Sequence, residues 1–186
     1  MLDRRSFLLS AAAALLAVPE VASAAPRKRF RLDPRFEAQS VPLRGYSPGT
    51  VVVDPRGRFL YYVTAPGRAI RYGVGVGRAG LAFKGRAVVG RKAEWPSWRP
   101  TDAMIRREPR KYARYAGGMP GGPRNPLGAR ALYLYKGGRD TMYRIHGTTD
   151  PGSIGRAVSN GCIRMLNEHV TDLYSRVPVG APVVVI

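Results

Sequence analysis

The chain has 186 residues but few of the side chains that bind metals or form cross-links. It contains one cysteine, Cys162, and two histidines, His146 and His169. A single cysteine excludes an internal disulfide, and structural zinc sites usually bring four ligands in closely spaced pairs. We therefore expect no resident metal. The thiol is either buried and inert, joined to a second chain, or reactive.

Acidic residues are also scarce, with 12 Asp and Glu against 31 Lys and Arg, and the net charge is +19. Such a surplus predicts attraction to anionic polymers, namely nucleic acid, anionic lipid or a carboxylate- and phosphate-rich cell wall. A solvated surface of scattered arginines explains the same composition without a specific partner. Charge alone does not choose between these interpretations.

Long apolar runs are missing as well, since the main one, residues 7–18, is too short to span a bilayer. It follows Arg4 and Arg5 and precedes small residues ending at Ala24, which resembles a twin-arginine export signal. We expect residues 1–24 to be removed, which leaves a protein of the periplasm or cell envelope with no transmembrane segment in its mature form. The charge stays +19, because two acidic and two basic residues leave. Export argues against nucleic acid as the partner.

Turn-forming residues are abundant, with 22 Gly and 16 Pro, and they favour short strands over long helices. Residues 25–48 are rich in Arg and Pro and predict a poorly ordered basic arm. Residues 49–186 predict a single mainly β domain, because they contain at least seven short β-branched or aromatic segments. These segments are residues 51–54, 59–64, 69–76, 87–90, 130–135, 142–147 and 182–186.

Two other segments interrupt the strand pattern. One helix is predicted from Asn167, as its cap, to the residue before Pro178, with His169 on its surface. Residues 91–129 form a long Pro- and Gly-rich excursion, which predicts a binding groove. The glycine pattern GVGRAG at residues 75–80 matches a dinucleotide-binding turn, but no helix is predicted after it, so no cofactor is expected.

The stretch SNGCIRM, residues 159–165, surrounds the single thiol. A catalytic cysteine needs a base or a positive environment, and His146 ends a predicted strand sixteen residues earlier. The intervening Gly, Pro and Ser residues allow the chain to double back. Gly161 allows backbone geometry in which main-chain N–H groups point at a developing oxyanion.

Arg164 adds a fixed cation near this thiol. It either stabilises the thiolate, holds a substrate carboxylate, or forms a salt bridge to Asp172 or Glu168. From these residues a cysteine acyl-transfer site is favoured over an inert buried thiol.

A longer segment, IHGTTDPGSIGRAVSNGCIRMLNEHVTDLY at residues 145–174, is similar to the active-site signature of the L,D-transpeptidase catalytic domain of the YkuD type. The upstream pieces GVGRAG, KGRAVVGRKAEWPSWRPT and MPGGPRNPLGARALYLY resemble the bacterial branch of this family. The resemblance covers roughly residues 49–186. It implies a single β-sandwich domain with one or two short helices.

The resemblance also implies an activity, the cross-linking of peptidoglycan. In that reaction cysteine attacks the third residue's carbonyl in a tetrapeptide stem, the terminal D-alanine leaves, and the acyl group passes to an amine. Cys162 resembles the nucleophile and His146 the general base and acid. Ser159, Asn160 and Gly161 match the segment of the oxyanion site, with Gly147 as a supporting position and Arg164 at a substrate-binding position. Many relatives have histidine where this chain has Asn160.

Two other functions stay open. Water in place of the amine gives an L,D-carboxypeptidase of the same fold. A non-catalytic envelope-binding module would use the basic surface to hold anionic wall polymer and leave the thiol idle. If the protein is a transpeptidase or a carboxypeptidase, its partner is a peptidoglycan stem peptide. The residue that holds the second ring nitrogen of His146 is not assigned, although Gly147 and Thr148 are near it in sequence.

Overall fold

The structure is a computed structural model that describes residues 30–79, 81 and 83–186. The predicted signal peptide and the first residues of the basic arm lie outside the described residues. The described strands are β1 (Gln39–Pro42), β2 (Val51–Asp54), β3 (Phe59–Ala65), β4 (Arg68–Gly73), β5 (Val76–Gly77), β6 (Gly85–Glu94), β7 (Arg130–Lys136), β8 (Arg139–His146), β9 (Ala157–Ser159), β10 (Ile163–Arg164) and β11 (Pro182–Val185). The described α-helices are α1 (Asp102–Arg107), α2 (Pro109–Tyr112) and α3 (Asn167–Arg176).

Nine of these strands form one mixed sheet in the order β1-β4-β3-β2-β11-β6-β7-β8-β10, while β5 and β9 pair separately. Strands β2, β3 and β4 form the antiparallel meander that the sequence predicts, and the mainly β fold is confirmed. Strand β11 pairs in parallel with β2, and β10 pairs in parallel with β8. The second parallel pair brings the thiol segment next to the histidine strand.

The main apolar core lies where α3 packs against β7 and β8 and where the inward side chains of the central strands meet. Leu60, Leu132, Ile145 and Leu173 are fully buried in it. Strand β2 contributes three consecutive buried valines, as expected for a strand covered on both faces. The strand carrying the histidine is therefore anchored by its apolar side.

Helix α3 occupies the predicted segment, but two predictions about it were wrong. Asn167 is not the cap; its Oδ1 accepts from the Ala129 N–H at 3.0 Å and its Nδ2 donates to the Thr148 carbonyl at 3.2 Å. His169 does not lie on the surface, because only 6% of it is exposed and its ring packs 5.8 Å from that of Tyr72. The amphipathic pattern did not reveal that a polar residue would face the core.

The basic arm is also more ordered than predicted over its described part. A 3₁₀ turn at Pro34–Phe36 precedes β1, which pairs with β4 at the edge of the sheet. Phe36 is buried against Gly73, where a Cβ atom would lie 2.3 Å from the Phe36 Cβ. The prediction from local composition was wrong here because packing against the rest of the fold orders this segment.

Residues 95–129, called the helical excursion below, contain α1 and α2, where no helix was predicted. The Thr101 hydroxyl caps α1 by accepting from the Met104 N–H at 3.2 Å. The Trp98 ring packs edge-on against Tyr112 and Tyr115, with centroids 6.3 and 5.6 Å away. No helix in the described part of the chain is long and apolar enough to cross a bilayer.

Candidate active site

The parallel pairing of β8 with β10 aligns the two predicted catalytic residues. Ile163 pairs with Ile145, and Arg164 pairs with His146. Side chains alternate between the two faces of a sheet, and both isoleucines are buried in the core. His146 and Arg164 therefore share the opposite face, and Cys162, one residue before Ile163, is directed to that face as well.

His146 is 5% exposed, and main-chain carbonyls hold its ring. Its Nδ1 lies 2.5 Å from the carbonyl oxygen of Gly147. A carbonyl only accepts, so Nδ1 carries the proton and Nε2 is the basic nitrogen. The unassigned orienting partner of the imidazole is thus a backbone atom, which no side-chain motif would reveal.

Burial sets the charge state of His146 by lowering its pKa from the ordinary value near 6.5 to about 4. The carbonyls of Gly147 and Leu127 act in the opposite direction, and the positive charges of Arg164 and Arg144 lower the pKa further. The imidazole is neutral at pH 7. Its Nε2 lone pair therefore carries no proton at rest, while the same burial makes it a weaker base than a free imidazole.

Cys162 is half-buried in the loop before β10. Burial raises the pKa of its thiol, while the main-chain N–H and the guanidinium of Arg144 and the charge of Arg164 act to lower it. The Sγ atom lies 4.0 Å from the Met142 carbonyl oxygen. No hydrogen bond joins Sγ to His146 among the contacts of the described residues, so the resting pair is a thiol and a neutral imidazole.

Residues 159–162, called the nucleophile loop below, form a turn closed by one hydroxyl. Ser159 Oγ donates to the Cys162 carbonyl at 2.6 Å and accepts from the Gly161 N–H at 3.1 Å. The Gly161 N–H is therefore occupied within the turn. The Cys162 N–H has no hydrogen-bond acceptor among the described residues. The Asn160 N–H also has no acceptor among the described residues, and the Cys162 N–H is the free donor on the nucleophile itself.

Glycine is required at position 161 for two reasons. Its φ is +126°, in the region that favours glycine. A Cβ atom there would lie 2.5 Å from the Tyr143 ring and 2.6 Å from the Leu81 carbonyl oxygen. Gly147 is constrained by a similar close approach, since a Cβ atom would meet Asn167 Oδ1 at 2.2 Å.

Arg164 has a different acidic neighbour from the two that the sequence suggested. Its guanidinium lies 3.7 Å from Asp150, and the suggested Asp172 pairs instead with Arg176 at 2.8 Å. The salt-bridge alternative to Asp172 or Glu168 was therefore wrong. Asp150 is 65% exposed, so the pair is weak and leaves Arg164 donors for an anionic ligand.

Arg144 is a site residue that sequence reasoning missed. Its largely buried side chain lies 4.7 Å from the Tyr133 ring centre and 3.3 Å from Asp140. It precedes His146 by two residues on β8, and the period of two along a strand was the signal that could have found it. Together with Arg164 it makes the face around the thiol positive.

Asn160 connects the nucleophile loop to other parts of the chain. Its side chain contacts Tyr112 in the helical excursion, Arg107 at the end of α1, and Arg78 after β5. No sequence pattern indicates these contacts, because they join segments about 50 to 80 residues apart.

The chain belongs to the L,D-transpeptidase catalytic domain family (YkuD), whose family model matches residues 48–185. It is 36% identical over 139 residues to the probable L,D-transpeptidase ErfK/SrfK of Escherichia coli K12, and 39% identical over 141 residues to that of Salmonella typhimurium. These alignments cover 73% and 74% of this chain, but only 43% and 44% of the two relatives.

Solved structures give the same family fold. A Brucella melitensis structure named a probable carnitine operon oxidoreductase caia is 54% identical, with a TM-score of 0.58 over 83% of this chain and 96% of that one. An L,D-transpeptidase from Mycobacterium smegmatis is 19% identical, with a TM-score of 0.51 over 74% and 58% of the two chains. The second likeness concerns the fold alone.

Proposed function

We propose that this protein is a peptidoglycan L,D-transpeptidase that uses Cys162 as nucleophile and His146 as general base and acid. The observation that carries the proposal is a half-buried thiol on the same sheet face as a buried imidazole that is neutral at pH 7. Family membership supports an enzyme of this type. The proposed substrate and envelope location are supported by the family and by the basic sequence with its predicted export signal.

The first half-reaction makes a thioester. His146 Nε2 takes the proton of the Cys162 thiol as the sulfur attacks the third carbonyl carbon of a tetrapeptide stem. The C–N bond to the terminal D-alanine then breaks, and the imidazolium returns the proton to the leaving amine. Sγ and the ring must come into hydrogen-bond reach for this step, as catalytic contacts often do only when substrate is bound.

The tetrahedral intermediate needs donors for its negatively charged oxygen. The Cys162 N–H is available for that oxygen, whereas the Gly161 N–H is held by Ser159. We therefore assign Ser159 and Gly161 to shaping the loop and Cys162 N–H to the oxyanion. Arg164 and Arg144 supply fixed positive charge that favours thiolate and attracts substrate carboxylates.

In the second half-reaction an acceptor amine attacks the thioester carbon. His146 removes the amine proton, the C–S bond breaks, and the thiol recovers a proton. Water in place of the amine gives the L,D-carboxypeptidase reaction. Cross-linked dimers among muropeptide products support transfer, and shortened monomers alone support hydrolysis.

The experiment that tests the proposal is intact-mass measurement of the mature protein after incubation with a tetrapeptide donor. We expect an acyl adduct on Cys162 and none on Cys162→Ser, because serine is a poorer nucleophile beside a base matched to a thiol. Absence of any adduct on the wild-type thiol contradicts the proposal. Salt-sensitive binding to sacculi that survives Cys162→Ala and His146→Ala would then favour the binding module.

The name of the Brucella relative raises oxidoreductase chemistry as a second activity. A dinucleotide fold would need a helix after the GVGRAG turn to face a pyrophosphate. The next element of this chain is the strand β6 instead, and the sheet is mixed rather than doubly wound. The fold therefore favours acyl transfer.

A further inference from the structure

Asn160 lies two residues before Cys162, and all of its side-chain polar atoms bind residues outside the nucleophile loop. Its Nδ2 donates to the Tyr112 hydroxyl at 2.9 Å. Its Oδ1 accepts from the guanidinium groups of Arg78 and Arg107, each at 3.0 Å. One carboxamide thus joins three segments of the chain.

The same contacts continue into the helical excursion. Arg78 also donates to the Glu108 carboxylate at 3.0 Å, and this bond holds the pKa of Glu108 below its usual range. The Glu108 carbonyl accepts from the Tyr112 N–H at 3.1 Å. Helix α2 is therefore tied to the nucleophile loop at both ends, at Glu108 through Arg78 and at Tyr112 through Asn160.

The loop is held from two sides. Ser159 closes the turn from within, and the Ser159 carbonyl accepts from the Arg78 N–H at 3.0 Å. The Asn160 side chain holds the turn from outside through two charge-assisted bonds and one neutral bond. Removing the carboxamide leaves the internal turn intact but leaves both guanidinium groups without this acceptor.

We propose that Asn160 is a positioning residue that couples the helical excursion to the orientation of Cys162 and thereby sets the rate of thiol acylation. The inference rests on the proposed function. Asn160 and Cys162 are separated by one residue, so a shift of the anchored side chain passes directly to the Sγ and N–H of Cys162. A misplacement of about 1 Å at a reacting group can cost on the order of 100-fold in rate.

The test compares Asn160→Ala with Asn160→Asp in single-turnover acylation by a saturating tetrapeptide donor, followed by intact mass. We expect Asn160→Ala to slow acylation by about tenfold or more, with the concentration for half-maximal rate changed much less. Asn160→Asp is expected to stay within about threefold of wild type. Its carboxylate can accept from both arginines and from the Tyr112 hydroxyl.

A matched pair of tyrosines separates this role from general packing. Tyr112 and Tyr115 both pack edge-on against Trp98, but only Tyr112 contacts Asn160 among the described contacts. Tyr112→Phe is expected to slow acylation about threefold and Tyr115→Phe to leave it unchanged. Combined with Asn160→Ala, Tyr112→Phe should add no further loss, because their contact is already gone.

Hydrogen exchange of residues 101–115 provides a readout that does not need catalysis. We expect faster exchange in Asn160→Ala than in wild type and no change in Tyr115→Phe. Wild-type protein that is never acylated refutes the proposed function, whereas unchanged exchange in Asn160→Ala refutes the coupling itself. Acylation of Asn160→Ala at the wild-type rate overturns the inference. If that variant does not fold, an unchanged rate in Tyr112→Phe overturns it.

Discussion

The large sheet has two sides along its strand order, the β2–β3–β4 side and the β8–β10 side, and different interactions stabilise them. On the β2–β3–β4 side, adjacent strands form hairpins around fully buried apolar residues such as Val53 and Leu60. On the β8–β10 side, the thiol segment pairs with β8 through two residues and with Gly75 through one bridge, and hydrogen bonds from Ser159 and Asn160 hold the turn before it. The same apolar core reaches this side through Ile145 and Ile163, but the nucleophile loop itself is held by polar contacts.

Positive φ angles occur on both sides, at Arg58 in the β2–β3 turn and around the thiol on the β8–β10 side. Met142 has a φ of +63°, which is unusual for a bulky residue, and Gly161 has a φ of +126°. The Asp140 carboxylate accepts from the Met142 N–H at 2.7 Å and holds this conformation. This conformation turns the Met142 carbonyl toward the Sγ of Cys162. Unusual conformations of this kind tend to occur at functional sites.

The largest expected effect on stability belongs to the apolar side. Leu60→Ala should lower the free energy of unfolding by about 2–5 kcal/mol, because a fully buried leucine leaves a cavity. Urea unfolding followed by circular dichroism measures this change. Val88→Ala, at an exposed position on β6, is the control and should change it by less than about 1 kcal/mol. A parallel loss of acylation rate per folded molecule would contradict the separation of the two sides.

An effect of about 3 kcal/mol is expected from acidification, through His146. Its pKa is near 6.5 when unfolded and about 4 when folded, so the unfolded chain binds more protons between these values. This part of the stability is fully present above pH 6.5 and is lost as the pH falls toward 4. The difference between wild-type and His146→Gln unfolding curves over this range measures it. Curves that stay parallel would show that burial does not depress the pKa.

The smallest expected effect concerns the exposed partner of Arg164. Asp150→Asn should change the free energy of unfolding by less than about 0.5 kcal/mol, because the pair is 3.7 Å apart and largely solvated. Thermal and urea unfolding of the variant beside wild type test this. A loss of 2 kcal/mol or more would mean that the ion pair is an essential support of the loop.

Sequence reasoning succeeded where local pattern determines structure. The segments 51–54, 59–64 and 130–135 lie in strands because their apolar and β-branched residues bury on the sheet, and α3 follows its apolar stripe. The parallel β8–β10 pair is a contact between segments that no local pattern specifies. The sequence could suggest that Cys162 and His146 meet, but it could not give their common face.

The predictions that were wrong also have physical explanations. Asn167 has the residue type of a cap but binds backbone groups of Ala129 and Thr148 instead. The arm from residue 30 onwards becomes ordered because β4 offers it an open edge. Helices α1 and α2 are short, and Trp98 packing with Tyr112 stabilises a segment whose composition alone predicts a loop.

Strand β11 lies between β2 and β6, yet it is the last strand along the chain. During synthesis the early hairpins can form as they emerge, but β2 exposes an unpaired edge until residues 182–185 have left the ribosome. Completion of the sheet therefore waits for the segment that forms β11. Deletion of residues 182–185 would leave two half-sheets with open edges at β2 and β6, and such edges promote aggregation.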